Sequence, residues 1–173
     1  MAWTEMTFGK YNGLTLPEVM FKDPDWFFWV CEQGCTGPAE AIKDEFEEIY
    51  RKSRNVKIPG GRNGTHEVRY YLDPIIEGAP IENTMCTGSF VTLDICKKGE
   101  INYSEDEGDK YVPRDVIDFM VPRELMKEDT DGYKIFIRKI KNIFFGALLR
   151  PVSMTREKCE EFFDNNDNFI LND

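Results

Sequence analysis

Apolar and polar positions divide the chain into a helical first third and a remainder in which strand and helix patterns mix. Thr15 followed by Pro17 predicts a helix start, because threonine caps and proline is tolerated in a first turn. Asp23 and Pro24 repeat that signal. Between Asp25 and Gln33 almost every residue is apolar, which predicts a helix buried on most of its faces and stopped by Gly34. Pro38 opens a third helix, "PAEAIKDEFEEIYRKSRNV", in which Ala39, Ile42, Phe46, Ile49 and Tyr50 fall at helical spacing. Its charges run from acidic to basic, as the helix dipole favours.

"PGGRNG", Pro59 to Gly64, has the chemistry of a break, and a boundary is expected there. After it, "HEVRYYL" alternates Val68, Tyr70 and Leu72 imperfectly against Arg69 and Tyr71. "GSFVTLDIC" sets Phe90, Thr92, Asp94 and Cys96 opposite Val91, Leu93 and Ile95. Both read as strands. "DVIDFMV", between Pro113 and Pro122, reads as a third short strand, with a helical turn as the alternative. "DTDGYKIFIRKIKNIFFG" carries Phe136, Ile137, Ile140, Ile143 and Phe144 at three- and four-residue spacing, with a cap-like Asp131 and Gly146 as a stop. It reads as a helix, although Tyr133 to Ile137 also alternates like a strand, and the choice over Tyr133 to Phe145 stays open. Thr155 caps a last short helix, "REKCEEFFDN". The expected fold class is α+β: an N-terminal helical module over 1–60, then a mixed domain over 61–173 in which a small sheet packs with one or two helices.

Composition narrows the function classes. The 173 residues are 41% hydrophobic and 13% aromatic, too rich in large apolar groups for a disordered chain. The formal net charge of -10 opposes a broad, sequence-independent grip on phosphate, so any nucleic-acid contact must be local. Five unevenly spaced cysteines and the absence of a secretory signal read as a reduced, cytoplasmic protein. The longest apolar runs, "WFFWVC" and "IFFGALL", fall far short of the roughly twenty residues that a membrane span needs.

The stretch from Thr7 to Trp29, "TFGKYNGLTLPEVMFKDPDWFFW", is the densest in glycine, lysine and aromatic residues. A lysine beside a tyrosine on a glycine-flanked turn offers a phosphate contact and a stacking face together. Lys10, Tyr11 and Lys22 are the candidates for binding nucleic acid. The same stretch also reads as a tight core of Phe8, Leu16, Trp26, Phe27 and Trp29, with Gly9 and Gly13 supplying positive φ. Phe8, Gly9, Lys10, Tyr11, Gly13, Leu16, Val19, Asp23, Trp26, Phe27 and Trp29 together resemble a small module appended to the C-terminus of exonuclease-X-type nucleases. That module also occurs in short uncharacterised phage and bacterial proteins. The resemblance covers the first third of the chain. It implies an accessory helical module that helps a DNA- or RNA-processing partner engage its substrate. It does not imply nuclease activity, because in those nucleases the chemistry resides in a separate domain.

Catalytic constellations are absent from the sequence pattern. A carboxylate-metal nuclease places an Asp-x-Glu on its first strand, whereas the residue two after Asp94 is Cys96. Asp94, Asp115 and Asp118 lack the paired spacing and the base that such a site needs. Cys31 and Cys35 are four apart but have no second close pair to complete a zinc site. His66 is the only imidazole for any cysteine nucleophile. "EDTDG" and "DNNDN" lack the ligand alternation of a calcium loop, and no phosphate-cradling glycine loop is present. Arg138, Lys139, Lys141 and Lys134 read as the wet face of an amphipathic helix. No cofactor or metal is expected. A second reading makes the chain an acidic inhibitor or adaptor of a nucleic-acid-handling protein, with Glu105, Asp106, Glu107 and Asp109 mimicking phosphate in a basic channel.

Overall fold

Threonine, proline and aspartate start the first two helices where the sequence places them. In the computed structural model, which describes residues 2–72, 90–100, 110–125, 132–146 and 152–171, α1 spans Leu16–Lys22 and α2 spans Pro24–Glu32. The Glu18 carboxylate accepts from the Thr15 N–H at 2.8 Å and from its hydroxyl at 3.3 Å. Asp23 ends α1 and caps α2 by accepting from the Trp26 N–H at 3.1 Å. Gly34, at φ +77°, provides the left-handed stop. The third helical stretch begins differently from the expectation: Gly37–Ile42 is a 3-10 segment, and α3 proper spans Lys43–Ser53. Pro38 brings no N–H to the first turn, and the tighter i→i+3 pattern serves such short stretches.

Strands β1 (His66–Leu72), β2 (Phe90–Lys97) and β3 (Lys110–Arg114) form an antiparallel sheet in the order β2-β1-β3. Tyr70 lies opposite Leu93 on one side and Val112 on the other. A register shift at Tyr71/Leu72 marks a bulge. The inward positions Val68, Tyr70, Leu72 and Leu93 are buried. Helix α5 (Gly132–Phe145) covers the sheet, with Phe136 stacked at 6.5 Å on Tyr70. The fold class is α+β, as the patterning predicts. Asp131 lies outside the described residues.

"DVIDFMV" is not a strand. Ile117 makes one isolated bridge to Val56, Phe119 and Met120 turn, and a short helix α4 starts at Val121 (Val121–Leu125). The reason is local satisfaction of the backbone. The buried Tyr70 hydroxyl accepts from the Asp118 N–H at 2.9 Å and donates to the Asp118 carbonyl at 3.2 Å, and the Asp118 carboxylate accepts from the Met120 N–H at 2.8 Å. A side chain supplies what a neighbouring strand would otherwise supply.

Helix α6 (Arg156–Asp164) begins at Thr155, whose hydroxyl accepts from the Lys158 N–H at 3.4 Å. It returns the chain to its start. Phe21 of α1 sits among Phe119, Phe145, Phe162 and Phe163, with ring centroids 5.3 to 6.2 Å away and edge-to-face geometry. The Trp3 indole N–H donates to Asp164 at 3.1 Å. Val56 bridges Ile117 on one side and Phe169 on the other. Lys52, 3% exposed, donates to the Phe163 carbonyl at 2.6 Å and pairs with Glu48 at 2.7 Å. The buried side chains from before and after the Pro59–Gly64 break therefore form one cluster, from Trp3 to Phe169.

Candidate functional site

The opening motif is organised around the Asp23 carboxylate. Besides the Trp26 N–H, it accepts from the Tyr11 hydroxyl at 2.5 Å and pairs with the Lys10 ammonium at 2.7 Å. Burial works to raise the Asp23 pKa, but the bonds from Lys10, Tyr11 and the Trp26 N–H outweigh it and hold the carboxyl below its ordinary value. Lys10 is raised by its bond to Asp23. Burial, then Asp23, raises Tyr11. Gly9 is required at its place: it has φ +71°, and a Cβ there would stand 3.2 Å from the Trp26 ring. Tyr11 meets Trp26 edge-to-face at 5.2 Å. The spacing of glycine, lysine, tyrosine, aspartate and tryptophan in this stretch is thus one interlocked turn.

Lys10, Tyr11 and Lys22 are brought together. Both ammonium groups lie over the Tyr11 ring, at 5.0 Å for Lys10 and 5.7 Å for Lys22. Lys10 and Lys22 are exposed, and Tyr11 is half-buried. Glu105, Asp106, Glu107 and Asp109 lie outside the described residues.

Trp29 departs from the core reading. Leu16 and Phe27 are buried and Phe8 and Trp26 are half-buried, but Trp29 is 49% exposed. It borders a groove of about 370 Å³ whose other walls include Phe8, Gly9, Trp26, Val30 and Ala39. The signal was in the helical period. Asp25 and Glu32 stand four before and three after Trp29, on the same face of α2, and a face with two charges is a solvent face. Arg123 of α4 reaches both carboxylates, binding Glu32 through two nitrogens at 2.7 and 3.1 Å and contacting Asp25.

A second concavity was not singled out by sequence reasoning. A cleft of about 430 Å³ opens at the C-terminal end of α3, lined by Tyr50, Arg51, Arg54, Asn55 and Asp118. Arg54 donates from Nε and Nη2 to Asp118, both at 3.3 Å, and from Nη1 to the Tyr50 hydroxyl at 3.2 Å. Burial raises the Asp118 pKa, against the opposing pull of the Met120 N–H and Arg54. "YRKSRN" passed as the basic end of an amphipathic helix, since only the returning loop at Asp118 makes it a cleft.

The aspartates considered for a metal-dependent nuclease each have a separate cation. Asp94 pairs with Lys139 at 3.4 Å, Asp115 with Lys98 at 2.6 Å, and Asp118 with Arg54. Among the described residues no group of three or more His, Cys, Asp or Glu side chains is placed to hold a metal ion. His66 and Cys96 lie on opposite faces of the sheet, because His66 is in register with Lys97 and Glu67 with Cys96. Burial raises the thiol pKa of Cys31 and Cys35, and pushes that of Cys159 up to about 12, away from nucleophilic thiolates. In "DNNDN", Asn165 accepts from the Asp167 N–H at 3.1 Å, a turn rather than an ion loop. Among the described residues no helix is long and apolar enough to cross a membrane. No protein-family model, curated protein or solved structure matches this chain.

Proposed function

We propose that the chain is a non-catalytic accessory protein of nucleic-acid processing, of the phage or mobile-element kind, whose opening-motif face contacts a single strand of the nucleic acid being processed. The observation that supports this reading is Trp29: a large ring, half exposed, at the edge of an apolar groove that Phe8 and Gly9 also line, with Lys10 next along the same turn and Lys22 at the end of α1. Bases stack on such rings without regard to sequence, and the lysines meet phosphates close by. The contact is local, consistent with a chain whose net charge is -10. The resemblance of residues 8 to 29 to the nuclease-appended module gives the same direction.

The test is a salt titration of binding to labelled single- and double-stranded oligonucleotides. The strand preference should be for single strands, and Trp29→Ala should weaken binding roughly 5- to 150-fold, the loss of one stacked base at about 1–3 kcal/mol. Lys22→Glu should weaken it further and flatten the salt dependence. No binding at low salt, or a Trp29→Ala protein that binds like wild type, overturns the reading and redirects the face to a protein partner.

A further inference from the structure

We propose that the cleft at the C-terminal end of α3 is a second binding site, for a nucleotide: a phosphate oxyanion held by Arg51 and Arg54, with the base against the Tyr50 ring. It stands or falls separately from the Trp29 face.

The argument begins with the preparation of Arg54. Its guanidinium is fixed by the buried Asp118 on one edge and the Tyr50 hydroxyl on another. Glu124 lies 3.8 Å from Nη2. Three of its five N–H groups are thereby used and Glu124 stands by Nη2, which leaves the second Nη1 N–H presented in a fixed direction. A guanidinium already held in place loses little side-chain entropy when an anion arrives. Arg51 stands one turn earlier on the same helix, lines the same cleft and is exposed. No ion pair is formed by Arg51 among the described residues.

Charge location favours an anion in spite of the carboxylates present. Arg51, Lys52, Arg54 and Lys57 fall within seven residues of a strongly acidic chain. Lys52 turns inward to Phe163 and Glu48, and Asp118 is consumed by Arg54 and the Met120 N–H. Arg54 is shared between Asp118 and Glu124, and Arg51 is the cation at the cleft that forms no ion pair among the described residues. The remaining lining fits the rest of a nucleotide. The half-buried Tyr50 ring is braced edge-on by Phe28 at 5.9 Å and has the Arg54 guanidinium over it at 5.7 Å, which leaves its other face for a base; the Asn55 amide donates to the Arg51 carbonyl at 2.9 Å and keeps its oxygen as an acceptor.

The experiment is a heteronuclear NMR titration of the full chain with inorganic phosphate, adenosine 5′-monophosphate and adenosine. Phosphate and the nucleotide are expected to shift the amides of residues 50–55 and 118, with the nucleotide about fivefold tighter through stacking worth about 1 kcal/mol. Arg51→Gln should weaken both by about tenfold, with Arg51→Lys restoring part of the loss. Because Arg51 is exposed, that variant leaves the fold intact, and Trp29→Ala should leave this titration unchanged. Absence of shifts at about 10 mM nucleotide in low salt, or Arg51→Gln titrating like wild type, overturns the site. Equal affinity for phosphate and the nucleotide overturns the placement of the base on Tyr50.

Discussion

Asp23 joins the local and the functional at the scale of single residues. One carboxylate ends α1, caps α2 and fixes Lys10 and Tyr11, so its loss disconnects the turn from the helix beneath it. Asp23→Asn keeps one capping oxygen but loses the charge-assisted bonds, and should cost about 1–2 kcal/mol in denaturant unfolding at neutral pH. The sign of the pH dependence follows from the lowered folded-state pKa. The stabilisation is complete above the carboxyl's ordinary 3.8 and fades as pH falls through the lower folded value. The stability difference between wild type and variant should therefore be constant from about pH 7 to pH 5 and shrink below pH 4. A difference that shrinks on the alkaline side instead would show that Asp23 is not held ionised by these partners. Asp23 was legible as a cap because the Asp-Pro pair announces one. Its second task, holding Lys10 and Tyr11 from thirteen and twelve residues back, depends on how the turn at Gly9 folds over Trp26, which no spacing rule expresses.

The helices show where periodicity suffices and where it fails. α3 could be read because its apolar positions recur at helical spacing and its end is basic; α5 has the same spacing but also alternates from Tyr133 to Ile137, so its pattern fits a strand as well. α2 could be located but not oriented: "WFFW" is apolar throughout, and the exposed side is identified only by Asp25 and Glu32 flanking Trp29. The "DVIDFMV" segment misled because it is a short apolar run between two prolines, while its backbone bonds go to Val56, Ser53, the Tyr70 hydroxyl and its own Asp118. Arg123 is the link between these elements, tying α4 to both ends of the exposed stripe of α2. Arg123→Ala should lower stability by about 1 kcal/mol, the upper end for a half-exposed pair with bidentate geometry. Hydrogen exchange should report the effect as faster opening of α2 and α4 ahead of the sheet. A loss confined to the sheet would contradict the assigned clamp.

At the scale of the molecule, the Gly-rich break was legible and the packing across it was not. Pro59 to Gly64 separates two kinds of sequence pattern, yet Phe21, Lys52 and Val56 find their partners at Phe119, Phe163 and Phe169, more than fifty residues further on. Local patterns carry no information about such pairings. A fragment of residues 1–60 should consequently show little cooperative unfolding and weak near-ultraviolet dichroism, because its Phe21 and Val56 lose their cover. A sharp two-state transition in that fragment would make the N-terminal unit self-sufficient. The same packing bears on how the chain is made. Translation delivers α1 and α2 first, but the rings that enclose Phe21 are at positions 119, 145, 162 and 163. At about 5–20 residues per second, the apolar side of α1 waits roughly seven to thirty seconds on the ribosome before its cover has been synthesised. During that interval it is a substrate for the chaperones that attend nascent chains, so a cell short of them should lose this protein to aggregation while it is still being made.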